Sequence, residues 1–147
     1  MCDLLVTNAS LVVPTKGIFP DTNILIENGK IKKLIKSISN IKASKKINAN
    51  GKYVLPGLID PHVHYGVYSP IEKAAVTESK SASIGGVTTI IRMMRLNRSY
   101  RNIEQQLKAS TDTHYVDYAI HASVLNFGHL DEIGYLKKKG ISSFKLY

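Results

Sequence analysis

The rhythm of the chain changes at Pro56-Gly57, and that change constrains the fold more than any other feature. Downstream of it, β-branched runs alternate with helical patterns. Residues 58–64 read as a buried strand, 71–84 as a helix stopped by Gly85-Gly86, and 87–91 as a second strand. Residues 102–110 follow as a helix, 115–124 as a third strand, 130–139 as a helix closed by Gly140, and 141–147 as a fourth strand. Strands separated by single helices pair in parallel, through right-handed crossovers. Four such strands suit a small open sheet or half of a (β/α)8 barrel. A parallel sheet is normally covered on both faces, and no helix follows the last strand. The pattern is therefore read as α/β in class, the N-terminal half of a TIM-type (β/α)8 barrel. On that reading the chain is a fragment of a longer protein or the product of a disrupted gene.

Upstream, residues 1–55 read as a small β domain, distinct from the partial barrel of 56–147. Residues 3–13, 23–27 and 30–35 are rich in Leu, Ile and Val, with turn residues between them. Asn28-Gly29 is a strong two-residue hairpin signal, because a type I′ turn needs positive φ at both positions, and Asn50-Gly51 repeats it before Lys52-Tyr53-Val54. With 147 residues, 44% hydrophobic and 21% charged, the chain is expected to be globular. No stretch approaches the ~20 apolar residues of a membrane span, and no signal-peptide core opens the sequence, so a cytoplasmic protein is expected. Cys2, the one cysteine, leaves no internal disulfide. The net charge of +9 comes largely from Lys30, Lys32, Lys33, Lys36, Lys42, Lys45 and Lys46, and from Arg92, Arg95, Arg98 and Arg101. No aromatic stacking pattern or helix-turn-helix signal accompanies either stretch, so the lysines are read as solvated edge residues and no specific nucleic-acid partner is expected.

The chemistry concentrates in Leu55-Pro56-Gly57-Leu58-Ile59-Asp60-Pro61-His62-Val63-His64. Strand alternation points His62 and His64 the same way, and two imidazoles aimed into one space are a natural start to a divalent-metal site. An isolated H-x-H pair, however, usually has no ligand role. Taken by itself, Lys145 reads as a snorkelling lysine at a strand end. His121 reads as a hydrogen-bonded core or rim residue, His114 and His129 as surface loop residues, and Asp60 as a structural hydrogen-bonding group facing away from the histidines. Tyr65 and Tyr68 either line a pocket or act as packed covers. Arg92 is read as an outward, solvated arginine, with binding of an anionic substrate as the alternative.

Pro56-Gly57-Leu58-Ile59-Asp60-Pro61-His62-Val63-His64, followed by Gly85-Gly86-Val87-Thr88-Thr89-Ile90, resembles the amidohydrolase superfamily. Val116-Asp117-Tyr118-Ala119-Ile120-His121 and Gly140-Ile141-Ser142-Ser143-Phe144-Lys145-Leu146 resemble its dihydropyrimidinase/D-hydantoinase branch of cyclic amidohydrolases. Leu4-Leu5-Val6-Thr7-Asn8-Ala9 and Ile26-Glu27-Asn28-Gly29-Lys30-Ile31 are similar to that branch's β-sandwich opening. The match runs over essentially the whole chain and about the first third of a typical member. The resemblance implies a two-metal centre, usually zinc, at the C-terminal mouth of a barrel. His62 and His64 would bind the more buried metal, and Lys145, as a CO₂-derived carbamate, would bridge both. A lysine on a buried strand has its pKa lowered by desolvation, which frees the neutral amine for CO₂. The implied reaction is hydrolysis of the ring amide of hydantoin- or dihydropyrimidine-like small molecules by metal-activated water, in a full-length protein that is a homo-oligomer.

The same resemblance implies what these residues lack. Related enzymes draw two further histidines from the fifth and sixth strands, and from the eighth an aspartate that shuttles the proton. No catalytic acid/base is therefore assigned here, the substrate-binding residues stay unknown, and the 147-residue chain alone is expected to be inactive. After His64 stands Tyr65-Gly66, not the arginine that dihydroorotases place two residues on. The alternatives are a dihydroorotase- or allantoinase-type relative, or a non-catalytic homologue acting as a scaffold.

Overall fold

The computed structural model of the chain describes residues 2–147, which divide into two compact units, one ending at Pro56 and the other beginning at Gly57. The first is a mixed five-stranded sheet of β1 (Cys2–Val13), β2 (Gly17–Glu27), β3 (Lys30–Ile35), β4 (Ala43–Asn48) and β5 (Tyr53–Val54). β3, β2 and β1 form an antiparallel meander, while β4 and β5 both run parallel to β1. Asn28 and Gly29 sit at φ 52° and 69°, as a type I′ hairpin between β2 and β3 requires. Asn50 and Gly51 also have positive φ, at 50° and 76°, but their turn is not a hairpin. It passes the chain from β4 to β5, which line up one after the other along β1 instead of pairing together. Buried Asn23 ties the sheet across its middle: its Oδ1 accepts from the Asn8 amide at 3.1 Å and its Nδ2 donates to the carbonyls of Ile35 and Lys36.

Two strand readings need correction. β2 begins at Gly17, several residues before its apolar run, and β4 is a strand where the sequence shows no apolar run and has Lys45 and Lys46 at its centre. β4 flanks β1 on the outer side of the sheet, and its Lys45 and Lys46 are exposed, as are Lys30, Lys32 and Lys33 on the opposite edge strand β3. An edge strand tolerates charged side chains on both faces, which hides it from a search for apolar alternation.

The second unit is a four-stranded parallel sheet in the order β6 (Leu58–Val63), β7 (Val87–Met94), β8 (Asp117–Val124), β9 (Ser143–Leu146). It is connected by α1 (Ile71–Ile84), by a 3₁₀ turn at Tyr100–Asn102 running into α2 (Ile103–Ser110), and by α3 (Phe127–Lys138). Gly86 and Gly140, at φ 83° and 84°, turn the chain out of α1 and α3 toward the next strand. One core cluster packs Ile71, Ala74 and Ala75 of α1 against Ile90 and Val63, and the other packs Ile103 and Leu136 against Met94, Ile120 and Ala122. β6 is not buried as expected: Leu58 and Ile59 are 52% and 64% exposed, because it is an edge strand paired only with β7.

Candidate functional site

The register of the parallel sheet sorts its side chains onto two faces. Ile90, Arg92 and Met94 of β7 lie level with Tyr118, Ile120 and Ala122 of β8, and Phe144 of β9 lies level with Ala122. The apolar members of this set pack with the helices. The alternate residues therefore project from the opposite face. There Met93 pairs with His121, His121 with Ser143, and Ser123 with Lys145. Val63 pairs with Arg92 and packs against α1, which sends its neighbours His62 and His64 to the face that carries His121 and Lys145.

Pro61 shapes the end of β6. Lacking an N–H, it cannot continue the ladder, and the register of β6 against β7 slips between Asp60 and Val63. The freed His62 amide donates to Asp60 Oδ1 at 3.0 Å, so Asp60 has the structural role expected of it. The two imidazoles converge: His62 Nε2 and His64 Nε2 are 3.0 Å apart, with ring centroids at 5.0 Å and planes tilted by 53°. Both rings are exposed, and His64 lies just beyond the last residue of β6.

Lys145 stands on β9, the opposite edge of the sheet, about 14 Å away along it at three strand spacings of ~4.8 Å. It is half-buried, and its ammonium sits 4.9 Å from the Tyr147 ring centroid. The hydrogen bond from Lys145, then its charge, the Ser123 hydrogen bond and the Arg95 guanidinium lower the pKa of exposed Tyr147. Between the two edges, His121 Nδ1 lies 2.5 Å from Ser143 Oγ, the bonded rim histidine that was expected. Among the described residues no three His, Cys, Asp or Glu side chains cluster as a metal site, and no helix is long and apolar enough to cross a membrane.

Three sequence readings fail at the other side chains. Arg92 is not solvated but 5% exposed, on the helix-covered face. His114 is half-buried: Tyr65 Oη lies 2.6 Å from its Nε2, its Nδ1 donates to the Ser110 carbonyl at 3.2 Å, and its ring stacks on Tyr118 at 4.0 Å. Burial lowers the His114 pKa, and burial likewise pushes the Tyr65 hydroxyl up to about 12. His129 is 2% exposed within α3, accepting from the Leu125 amide at 3.1 Å and donating to the Arg98 carbonyl at 2.5 Å. Tyr65, a packed cover at 4% exposed, and fully exposed Tyr68 both line a cleft of about 500 Å³ with His64, Gly66, Arg92, Arg95 and Asn97.

No protein-family model matches the chain. A D-phenylhydantoinase of Escherichia coli O9:H4 (strain HS) is 33% identical over 134 residues, covering 85% of this chain and 29% of the relative. An L-hydantoinase (dihydropyrimidinase) from Arthrobacter aurescens superposes with a TM-score of 0.85 at 31% identity, over 98% of this chain and 32% of that one. A D-hydantoinase crystal structure superposes at 0.79 with 25% identity, again over 98% and 32%. The chain thus spans just under a third of the length of these relatives.

Proposed function

Because the chain belongs to the amidohydrolase superfamily and is hydantoinase-like, we propose that it is part of a metal-dependent cyclic amidohydrolase acting on hydantoin- or dihydropyrimidine-like rings. On this reading the unit from Gly57 onward is the first half of a (β/α)8 barrel, and the preceding sheet is part of a β-sandwich. The observation that carries the proposal is the pair of imidazole nitrogens 3.0 Å apart at the C-terminal end of β6, on the face away from the helices. Two nitrogens bound to one tetrahedral zinc at ~2.0–2.1 Å stand about 3.3 Å apart, so small ring rotations bring His62 and His64 to a ligand geometry. Lys145 projects from the same face.

His62 and His64 would hold one divalent ion, with Lys145 as the carbamate-bearing bridge to a second. Such ions acidify a bound water and polarise the ring carbonyl. The chain's own contribution is placement. Pro61 shifts the register so that His62, near the end of β6, and His64, just past it, share one face, and Asp60 holds the backbone leading into His62. Ser143 holds the His121 ring beside Lys145 on the sheet. Asp117, a carboxylate on that face, stands at the N-terminal end of β8, level with Thr89 and away from the histidines, so the 147-residue polypeptide assayed alone is proposed to bind metal without turning over hydantoin.

Zinc titration of that polypeptide tests the reading. His62→Ala and His64→Ala are each expected to weaken binding at least ~10-fold, and no ring opening of hydantoin is expected. Zinc affinity unchanged in both variants overturns the site, and turnover by the 147 residues alone overturns the claim of inactivity.

A further inference from the structure

Arg92 is a buried cation without an anion. Its Nε donates to the Tyr65 carbonyl at 3.3 Å and its Nη2 to Gln106 Oε1 at 3.4 Å, both long bonds to neutral acceptors. The Tyr65 ring lies 5.3 Å from its Cζ, and Nη1 is buried with no partner. The ion pairs among the described residues are Lys32–Glu27, Arg101–Glu132 and Lys139–Glu104, so no carboxylate neutralises it. Guanidinium stays protonated in proteins, and a buried charge is ordinarily paired because leaving it alone costs several kcal/mol. The chain therefore supplies no counter-charge to this guanidinium, and Arg92 lines a cleft where an anion from outside can approach it.

The setting is a cleft of about 500 Å³ at the C-terminal ends of β6 and β7, a volume suited to a small ring. No acidic residue lines it. Arg95 enters from the other side, exposed, with its guanidinium 5.6 Å from the Tyr147 ring centroid. Gly66 lets the loop after β6 lie directly on Arg92: a Cβ there would stand 2.8 Å from Ile71 Cδ1 and 3.4 Å from Arg92 Nη2. His64, one of the two convergent imidazoles, forms part of the same wall.

We propose that this cleft is a carboxylate subsite formed by Arg92 and Arg95, and that the cyclic amide taken by the protein carries a carboxylate substituent. The first half rests on the cleft alone; the second half rests on the functional reading above. A planar guanidinium presents parallel N–H groups matched to a carboxylate, and the buried one acts at low dielectric, where its hydrogen bonds are strongest.

The test is calorimetric titration of the 147-residue chain, with and without zinc, using hydantoin-5-acetate, the neutral ring 5-methylhydantoin, and succinate as a ring-free carboxylate. The acetate is expected to bind at least ~10-fold more tightly than the neutral ring, with the margin shrinking as salt is raised. Arg95→Gln, at an exposed position where folding is secure, is expected to remove most of that margin. Arg92→Lys, which keeps the charge and loses the fork, is expected to remove part of it. Arginine-dependent binding of succinate in a chain that fails the zinc test leaves the subsite standing and sinks the amidohydrolase reading. Zinc bound through the histidines, with no preference for the carboxylated ring, sinks the subsite alone. A preference that survives Arg95→Gln and Arg92→Lys, or no binding of any probe under either condition, also overturns it.

Discussion

The Tyr100 hydroxyl closes the sheet where its backbone ladder runs out. The pairing of β7 with β8 ends at Met94–Ala122, and just beyond it Tyr100 Oη accepts from the Ser123 amide at 3.1 Å. Its one proton is shared between the carbonyls of Ser123, at 2.8 Å, and Met94, at 3.0 Å. The ring is fully buried in the cluster with Met94, Ile103 and Leu136. Tyr100→Phe keeps that packing and deletes only the oxygen. Two hydrogen bonds at about 1 kcal/mol each set a floor near 2 kcal/mol, and the stranded Ser123 N–H, shielded from water, raises the expected loss to about 3–4 kcal/mol. For a domain of this size that lowers Tm by 10 °C or more, on the order of 4–8 °C per kcal/mol. The rim that carries Arg95, Ser123 and Lys145 should loosen with it. Urea unfolding followed by circular dichroism measures the first effect, and hydrogen exchange at the Ser123 amide measures the second. A variant within about 0.5 kcal/mol of the parent, with unchanged exchange at Ser123, would refute the reasoning.

Two further outcomes follow from single contacts. A Cβ on Gly57 would stand 2.2 Å from Thr88 Cγ2 and Oγ1, so Gly57→Ala should destabilise by about 1–3 kcal/mol, and Thr88→Ala in the same chain should restore most of it. Additive losses in denaturant titrations would contradict the clash. Because the His114 pKa is lower folded than unfolded, the unfolded chain binds the extra proton first. The stabilisation is present above pH ~6.5 and drains away as pH falls through the depressed folded value. His114→Phe should flatten the stability–pH curve in that window, and an unchanged slope would remove His114 as its source.

The positions of His62 and His64 were readable because a two-residue period needs nothing beyond the strand itself, and Pro61 announces where the register slips. The same period, had β7 been followed past Ile91 to Met94, puts Arg92 on the face of Ile90 and Met94, so its burial left a signal that the short strand assignment missed. β4 left none, because lysines satisfy an edge strand as well as a loop. His114 and His129 owe their burial to partners far along the chain, Tyr65 and Arg98, at separations of 49 and 31 residues. Local pattern cannot encode such pairings. They arise when the sheet brings loop ends together.

Periodicity and turn chemistry thus dictate the β unit, the strand–helix alternation, and the two convergent imidazoles, since each depends on neighbours within a few residues. Packing settled the rest. Strand register set Lys145 on the face of the histidines but at the far edge, and the closing of the β6 loop over β7 left Arg92 buried, charged and short of one acceptor. Those are relations between distant segments, and they come into being only when the sheet assembles.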